Sequence, residues 1–421
     1  MVPLEKVRQN SPSPETIAVI VANVLPLVGV VALGWNLAAL VFLYWFELGI
    51  ISFWALVRAV FAGRPSEFDS DPLIAGALAN KRTEIPIPFT ELGIRISTLP
   101  VLAVAIPLLT LVWFFAGVTT VGVVGPETLD PSALEMVTLA SLSIFLSEGA
   151  STLIEYLYRR GYREHSAQTA IQGSFMRAAV IGIGGLVTAT FVGLGTDSVS
   201  SDASITAIDP TVVGPPLLIG IVLVKFSFDL GGLYRERLVA FDEASYFELG
   251  WAYEPPSDEA IEPVEPVTDR LCPPISARLF GGVSASNVRR HPGVLGVGGF
   301  LFLISLLFAM GQAWNIVFVF VLASLVVPIG VLTIDYWLRY GSAEFRISED
   351  GIVAYDQLFQ TRLWRIEQRE EIGLRVERGR IHRWLDTSTV VIECSDREFR
   401  LPHLDNHKTI LDVFGRRPNG V

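Results

Sequence analysis

Four charged side chains stand inside long apolar runs, where charge is costly and therefore informative. Glu47 interrupts "FLYWFELGI" (residues 42–50), Glu148 interrupts "SIFLSEGAS" (143–151), and Lys225 and Asp229 share "LVKFSFDLGG" (223–232). A charge at the centre of a membrane helix costs about 2.5–3.5 kcal/mol, and such groups face protein or water. One chemistry for the set is a pathway for an ion, a proton or a polar substrate. The other is a buried polar cluster that fixes helix register, and it carries more weight because no paired inverted repeat is visible. Catalysis is not expected. Ser147 beside Glu148 has no intramembrane His to activate it. The five His residues show no metal-ligand spacing, and Cys272 and Cys394 lie far apart, so neither a metal nor a cofactor is expected.

Helical geometry says which of these groups can meet. Asn36, Glu47 and Arg58 repeat every eleven residues, about three turns, and share a face with Trp54. Ser141, Glu148, Thr152 and Glu155 make a second stripe, and Lys225 and Asp229 are an i, i+4 pair. At ~1.5 Å per residue from the outer ends, Glu47 lies ~16 Å down, Lys225 ~20 Å, Glu148 ~21 Å and Asp229 ~26 Å. Lys225 is thus the natural counter-ion of Glu47 or of Glu148.

The elements holding them follow from hydropathy. The chain has 421 residues, 51% hydrophobic and 18% charged, with a mean hydropathy of +0.48. Eight apolar runs approach the ~20 residues that cross a bilayer. They are 16–33, 36–58, 97–118, 132–158, 174–194, 212–233, 293–310 and 314–337. The first is short, contains Pro26 and is followed by no A-x-A-like site, so an uncleaved span is expected. Lys and Arg cluster in alternate loops, whereas "GPETLDPS" and "GTDSVSSDASITAID" contain neither. Eight spans with both termini cytoplasmic put every basic loop inside, in the cytoplasmic membrane. The lipid bilayer is then a necessary partner and no nucleic acid is expected. A net charge of −11 with only four Lys suggests a halophilic source.

The expected organisation is a six-helix membrane domain (1–250), an acidic Pro-rich cytosolic linker (251–285) containing "EPPSDEAIEPVEPVTD", a two-helix membrane hairpin (286–340) and a cytosolic β domain (341–421). In the last, "AEFRISEDGIVAYDQLF" and "STVVIECSDREFRLPHL" alternate apolar and polar residues around turn signals. "DNHKTILDVF" closes it with an amphipathic helix. The fold class is therefore mixed: a polytopic α-helical membrane protein of about eight spans, 6+2, with a small C-terminal β-sheet domain closed by one helix.

Across residues 290–415, this hairpin followed by "FRISEDGIVAY", "TRLWRIEQREEIGLRV" and "STVVIECSDREFRLPHLDNHKTILDVF" resembles the pleckstrin-homology (PH) domains of small bacterial membrane proteins. The resemblance implies a seven-stranded, strongly bent sheet capped by a helix. Residues 15–245 resemble an uncharacterised multi-pass family of haloarchaea and bacteria, on "NVLPLVGVVALGWNLAALVFLYWFELGI" and "LVKFSFDLGGLYRER", and that likeness implies no chemistry. In the β domain, "RVERGRIHR" concentrates Arg375, Arg378, Arg380 and Arg383 for contact with protein or lipid phosphate. In molar salt the Debye length falls to about 3 Å, which favours the protein. The leading expectation is a non-enzymatic scaffold or regulatory protein that binds a protein partner through the cytosolic domain. The alternative is a transporter or channel-like protein using Glu47, Glu148, Lys225 and Asp229.

Overall fold

A computed structural model describes residues 14–66, 73–125, 129–195, 210–244, 261–368, 373–394 and 397–414. Lys6, Arg8, the loop "GTDSVSSDASITAID" from Thr196 on and the start of the Pro-rich linker (to residue 260) lie outside these. The chain forms two compact units, Met1–Ser66 with Val101–Pro256 and Glu67–Pro100 with Ser257–Val421. This division differs from the expected one, because the segment after the second apolar run belongs with the C-terminal part.

The first unit is a bundle of α1 (Pro14–Leu33), α2 (Leu37–Val60), α3 (Thr98–Val124), α4 (Pro131–Ser151), α5 (Ala167–Gly195) and α6 (Pro210–Leu233). Asn36 starts α2 by accepting from the Ala39 amide at 3.1 Å. Asp130 starts α4 in the same way, from Ala133 at 2.6 Å, with Pro131 in the first turn where its missing amide matters least. Among the described residues seven helices are long and apolar enough to cross a membrane, five of them here and two in the second unit; in α1 only Val19–Leu33 is so apolar, and it is shorter. Exposed Leu, Ile, Val and Phe cover the outer faces. Such a surface suits lipid, not water.

Packing in this bundle rests on tryptophans set opposite glycines. Trp45 of α2 and Trp113 of α3 stack at 4.5 Å with planes 6° apart, and each indole N–H donates to the other's carbonyl at 3.0 Å. Gly117 and Gly49, one turn after each Trp, leave the space: a Cβ there would come within 2.6 Å and 2.8 Å of the opposing indole nitrogen. The same device joins α2 to α4. Trp54 donates to the Phe145 carbonyl at 3.1 Å and lies over Gly149. Around these contacts Val41, Tyr44, Leu48, Ala116, Leu217 and Leu218 make the buried core.

The second unit begins with a hairpin of β1 (Glu84–Pro86) and β2 (Gly93–Arg95). Next come β3 (Asp269–Leu271), α7 (Ile275–Phe280) and the apolar hairpin α8 (Pro292–Met310) and α9 (Trp314–Tyr336). The chain then continues through β4 (Ala343–Ser348), β5 (Gly351–Asp356), β6 (Thr361–Glu367), β7 (Gly373–Glu377), α10 (Arg380–Leu385), β8 (Ser388–Cys394), β9 (Arg397–Leu404) and α11 (Lys408–Phe414). β3-β4-β5-β6 form one antiparallel sheet and β7-β8-β9 another. Their inner faces and Ile410 of α11 enclose a core of Phe345, Ile347, Ile352, Ile366, Ile392 and Leu401. At the β4–β5 turn Gly351 has φ +152 and a Cβ there would meet the Ile366 carbonyl, so this position requires glycine.

The expectation of a linker running to residue 285 is corrected here. From residue 261 the chain is built into the second unit: Val264 is buried, Thr268 N–H donates to the Ile347 carbonyl at 2.8 Å, and β3 extends the sheet. Backbone pairing to an edge strand does not depend on side-chain hydrophobicity, so a Pro-rich, acidic composition concealed it.

Candidate functional site

Glu47, Lys225 and Asp229 come together in the first unit, and two further side chains complete the group. Lys225 of α6 pairs with Glu47 of α2, the two side chains 21% and 15% exposed. Its ammonium also lies 5.9 Å from the ring of Tyr44, one turn before Glu47. Asp229, one turn on from Lys225, is claimed from two other helices. Arg177 of α5 approaches Oδ1 at 3.5 Å, and the Asn23 amide of α1 donates to Oδ2 at 2.9 Å. The Arg177 guanidinium lies over Phe228 at 5.4 Å. Two cations thus meet two carboxylates, with α1, α2, α5 and α6 each contributing, and the group's formal charges cancel.

Glu148 stands apart. It is half-buried on α4, beside the Gly149 on which Trp54 rests, and among the described residues it makes no ion pair. Of the two partners expected for Lys225, Glu47 and Glu148, the structure pairs it with Glu47. Arg177 and Asn23 were missed in the sequence. The signal was present: three carboxylates against one intramembrane Lys leave a deficit of positive charge, and Arg177 lies in the apolar run 174–194.

The second unit holds a polar group that hydropathy did not point to. Lys81, in the segment before β1, pairs with Asp356 at the end of β5, both buried, at 3% and 0% exposure. The other Asp356 oxygen accepts from Ser342 Oγ at 2.7 Å and from the amides of Leu358 (2.9 Å) and Phe359 (3.3 Å). Beside it, Thr83 meets Thr361 at 3.3 Å, and the Ile74 amide donates to buried Asp335 of α9 at 2.7 Å. Two carboxylates therefore clasp segment 73–95 onto the unit.

A buried pair of imidazoles lies between α10 and β9. His382 and His403 stack at 4.2 Å with planes 8° apart, and His403 meets Tyr336 edge-on at 5.8 Å. The Gly379 amide donates to His382 Nδ1 at 3.1 Å, which leaves Nε2–H to donate to Thr389 Oγ1 at 2.8 Å. Burial lowers the pKa of His382, and burial together with its neighbour pushes His403 down to about 4, so both rings are neutral near pH 7.

The four arginines of "RVERGRIHR" divide. Arg375 on β7 is engaged by Glu377 at 3.0 Å and Glu393 at 4.0 Å. Arg378, Arg380 and Arg383 are exposed and have no ion pair among the described residues. Trp364 packs against the β core, whereas Trp384 projects from α10, 69% exposed.

No curated protein and no solved structure matches the chain. Residues 5–244, which hold the whole Glu47–Lys225 and Asp229–Arg177 group and more than half of the sequence, match the model of a family of unknown function, DUF6498, and the chain belongs to that family.

Proposed function

We propose that this is a non-enzymatic integral membrane scaffold or regulatory protein, with eight spans, both termini cytoplasmic, and a PH-like cytosolic domain that binds a protein partner. The observation that carries the reading is the pairing of charge within the bundle. Glu47 with Lys225, and Asp229 with Arg177 and Asn23, tie four helices together with opposite charges matched. Paired, hydrogen-bonded charges of this kind specify packing. The PH-like assignment is supported by a four-stranded sheet, a three-stranded sheet and a closing helix. A regulatory role is supported by chain connectivity. Segment 67–100 belongs with the second unit while joining α2 to α3 of the first along the chain.

The test is a thermal-stability cycle of the detergent-solubilised chain with Glu47→Gln, Lys225→Met and the double variant. Single variants that destabilise and a double variant that recovers mark the pair as structural. Three variants that all melt with the parent mean the charges are kept for something other than stability, and transport moves to first place. One observation favours that second reading: Glu148 is half-buried without an ion pair among the described residues, as an ion- or proton-carrying carboxylate would be.

A further inference from the structure

The second unit presents an apolar ridge flanked by exposed arginines, and we infer that it is a membrane-interface site that takes anionic lipid headgroups and holds the β domain against the bilayer. Ile275 and Leu279 share one face of α7, and both are exposed. Phe280, at the end of that helix, meets Trp384 of α10 ring edge to face at 5.4 Å. Phe280 and Trp384 thus bridge two helices, with Ile275 and Leu279 exposed on α7. On α10, Arg380, Arg383 and Trp384 fall on the outward face while His382, on the opposite face, is buried. Arg378 precedes them.

The occupant follows from where this ridge is seated. The end of α7 is seated on Tyr336, the last residue of α9, in an apolar span that runs on to Gly341. A Cβ on Gly281, directly after α7, would meet the Tyr336 ring at 2.6 Å, and one on Gly282 would meet the Leu332 carbonyl at 2.6 Å. α10 reaches the same tyrosine through the His382–His403 stack. The ridge is therefore held beside the last turns of that candidate span, close to where hydrocarbon would give way to headgroups. Trp and Phe there bury an apolar body next to polar lipid, and Arg offers phosphate a bidentate contact. Contacts of this kind act at bonding distance, inside even a ~3 Å Debye length, so high salt does not abolish them.

A nitroxide at Leu279→Cys, in the full chain carrying Cys272→Ser and Cys394→Ser, reports this directly. The chain is placed in nanodiscs of phosphatidylglycerol or of phosphatidylcholine, and collisions with oxygen and with a water-soluble nickel chelate are compared. Incorporation into nanodiscs tests membrane residence, and label accessibility tests the ridge. In phosphatidylglycerol the label should collide with oxygen and be shielded from the chelate. With Arg380→Glu/Arg383→Glu, or in phosphatidylcholine, chelate collisions should rise severalfold while thermal unfolding is unchanged. Trp384→Ala should give a smaller shift in the same direction. A label equally open to the chelate in both lipids overturns the proposal and favours a soluble partner on this face. Shielding that is identical in both lipids and in the Arg variants overturns the headgroup assignment.

Discussion

Two ion pairs in this chain have the same chemistry and opposite surroundings. Lys225–Glu47 lies half-buried among lipid-facing helices, whereas Lys81–Asp356 is sealed in the second unit, where both carboxylate oxygens have donors. In the first unit the apolar surface faces outward and the charges bind helices to one another. In the β sheets of the second the apolar residues face inward and the charge binds a distant loop. The same Lys–carboxylate unit thus joins two helices in one place and closes a long-range connection in the other.

The largest expected effect comes from the sealed pair. Asp356→Ala leaves Lys81 a buried, unpaired cation and strips Ser342 and two amides of their acceptor, so about 3–5 kcal/mol is lost. Unfolding of the solubilised chain, followed by Trp fluorescence against denaturant, measures it. Lys81→Met with Asp356→Asn should recover part of the loss, since no unpaired charge then remains. A loss no greater than that of Glu47→Gln would remove the contrast between the two pairs.

Next is acid. Both imidazoles are depressed in the folded state, so each unfolded His binds its proton first, near its ordinary value of about 6.5. Stability is therefore complete above pH 6.5 and falls as pH drops toward about 4, where His403 itself protonates. The loss across that window is on the order of 3 kcal/mol for His403. A pH series of melting temperatures for the parent and His403→Gln should show the acid slope flattened in the variant. In the first unit burial also lowers the pKa of His165, which adds to the acid slope in the same direction.

Gly117→Val tests the first unit by packing. Its side chain would overlap the Trp45 indole and separate the paired tryptophans, at about 1–3 kcal/mol. Lowered melting with loss of exciton coupling between stacked indoles in near-UV dichroism is the expected result.

What could be read from the sequence follows the range of the forces involved. The long apolar helices were legible because a span needs about twenty apolar residues in a row, a purely local property. The strands of the last domain were legible from alternation. Lys81–Asp356 was not, because nothing near Lys81 records a partner 275 residues away. β3 was hidden within acidic, Pro-rich sequence, since backbone pairing leaves little mark on composition. Among the site residues, Glu47, Lys225 and Asp229 were recognisable as charges in apolar runs. Arg177 and Asn23 needed the question of what balances Asp229. The W-x-x-x-G spacing in "WFELG" and "WFFAG" was also present, and its meaning depends on two helices crossing at that point.

The smallest effect is the most discriminating among the arginines. Arg375 is half-exposed between Glu377 and Glu393, and an exposed pair of this kind contributes about 0–1 kcal/mol. Arg375→Ala should leave the melting temperature nearly unchanged and should not move a nitroxide at residue 279. Arg380→Glu/Arg383→Glu should also leave stability alone, because neither side chain has an ion pair among the described residues, yet it should move that label into water. Equal stability with unequal lipid response separates arginines held by the protein's own acids from those left for another anion. If Arg375→Ala shifted the label as far as the α10 variant does, the response would come from net charge, and the ridge would have no special claim on the bilayer.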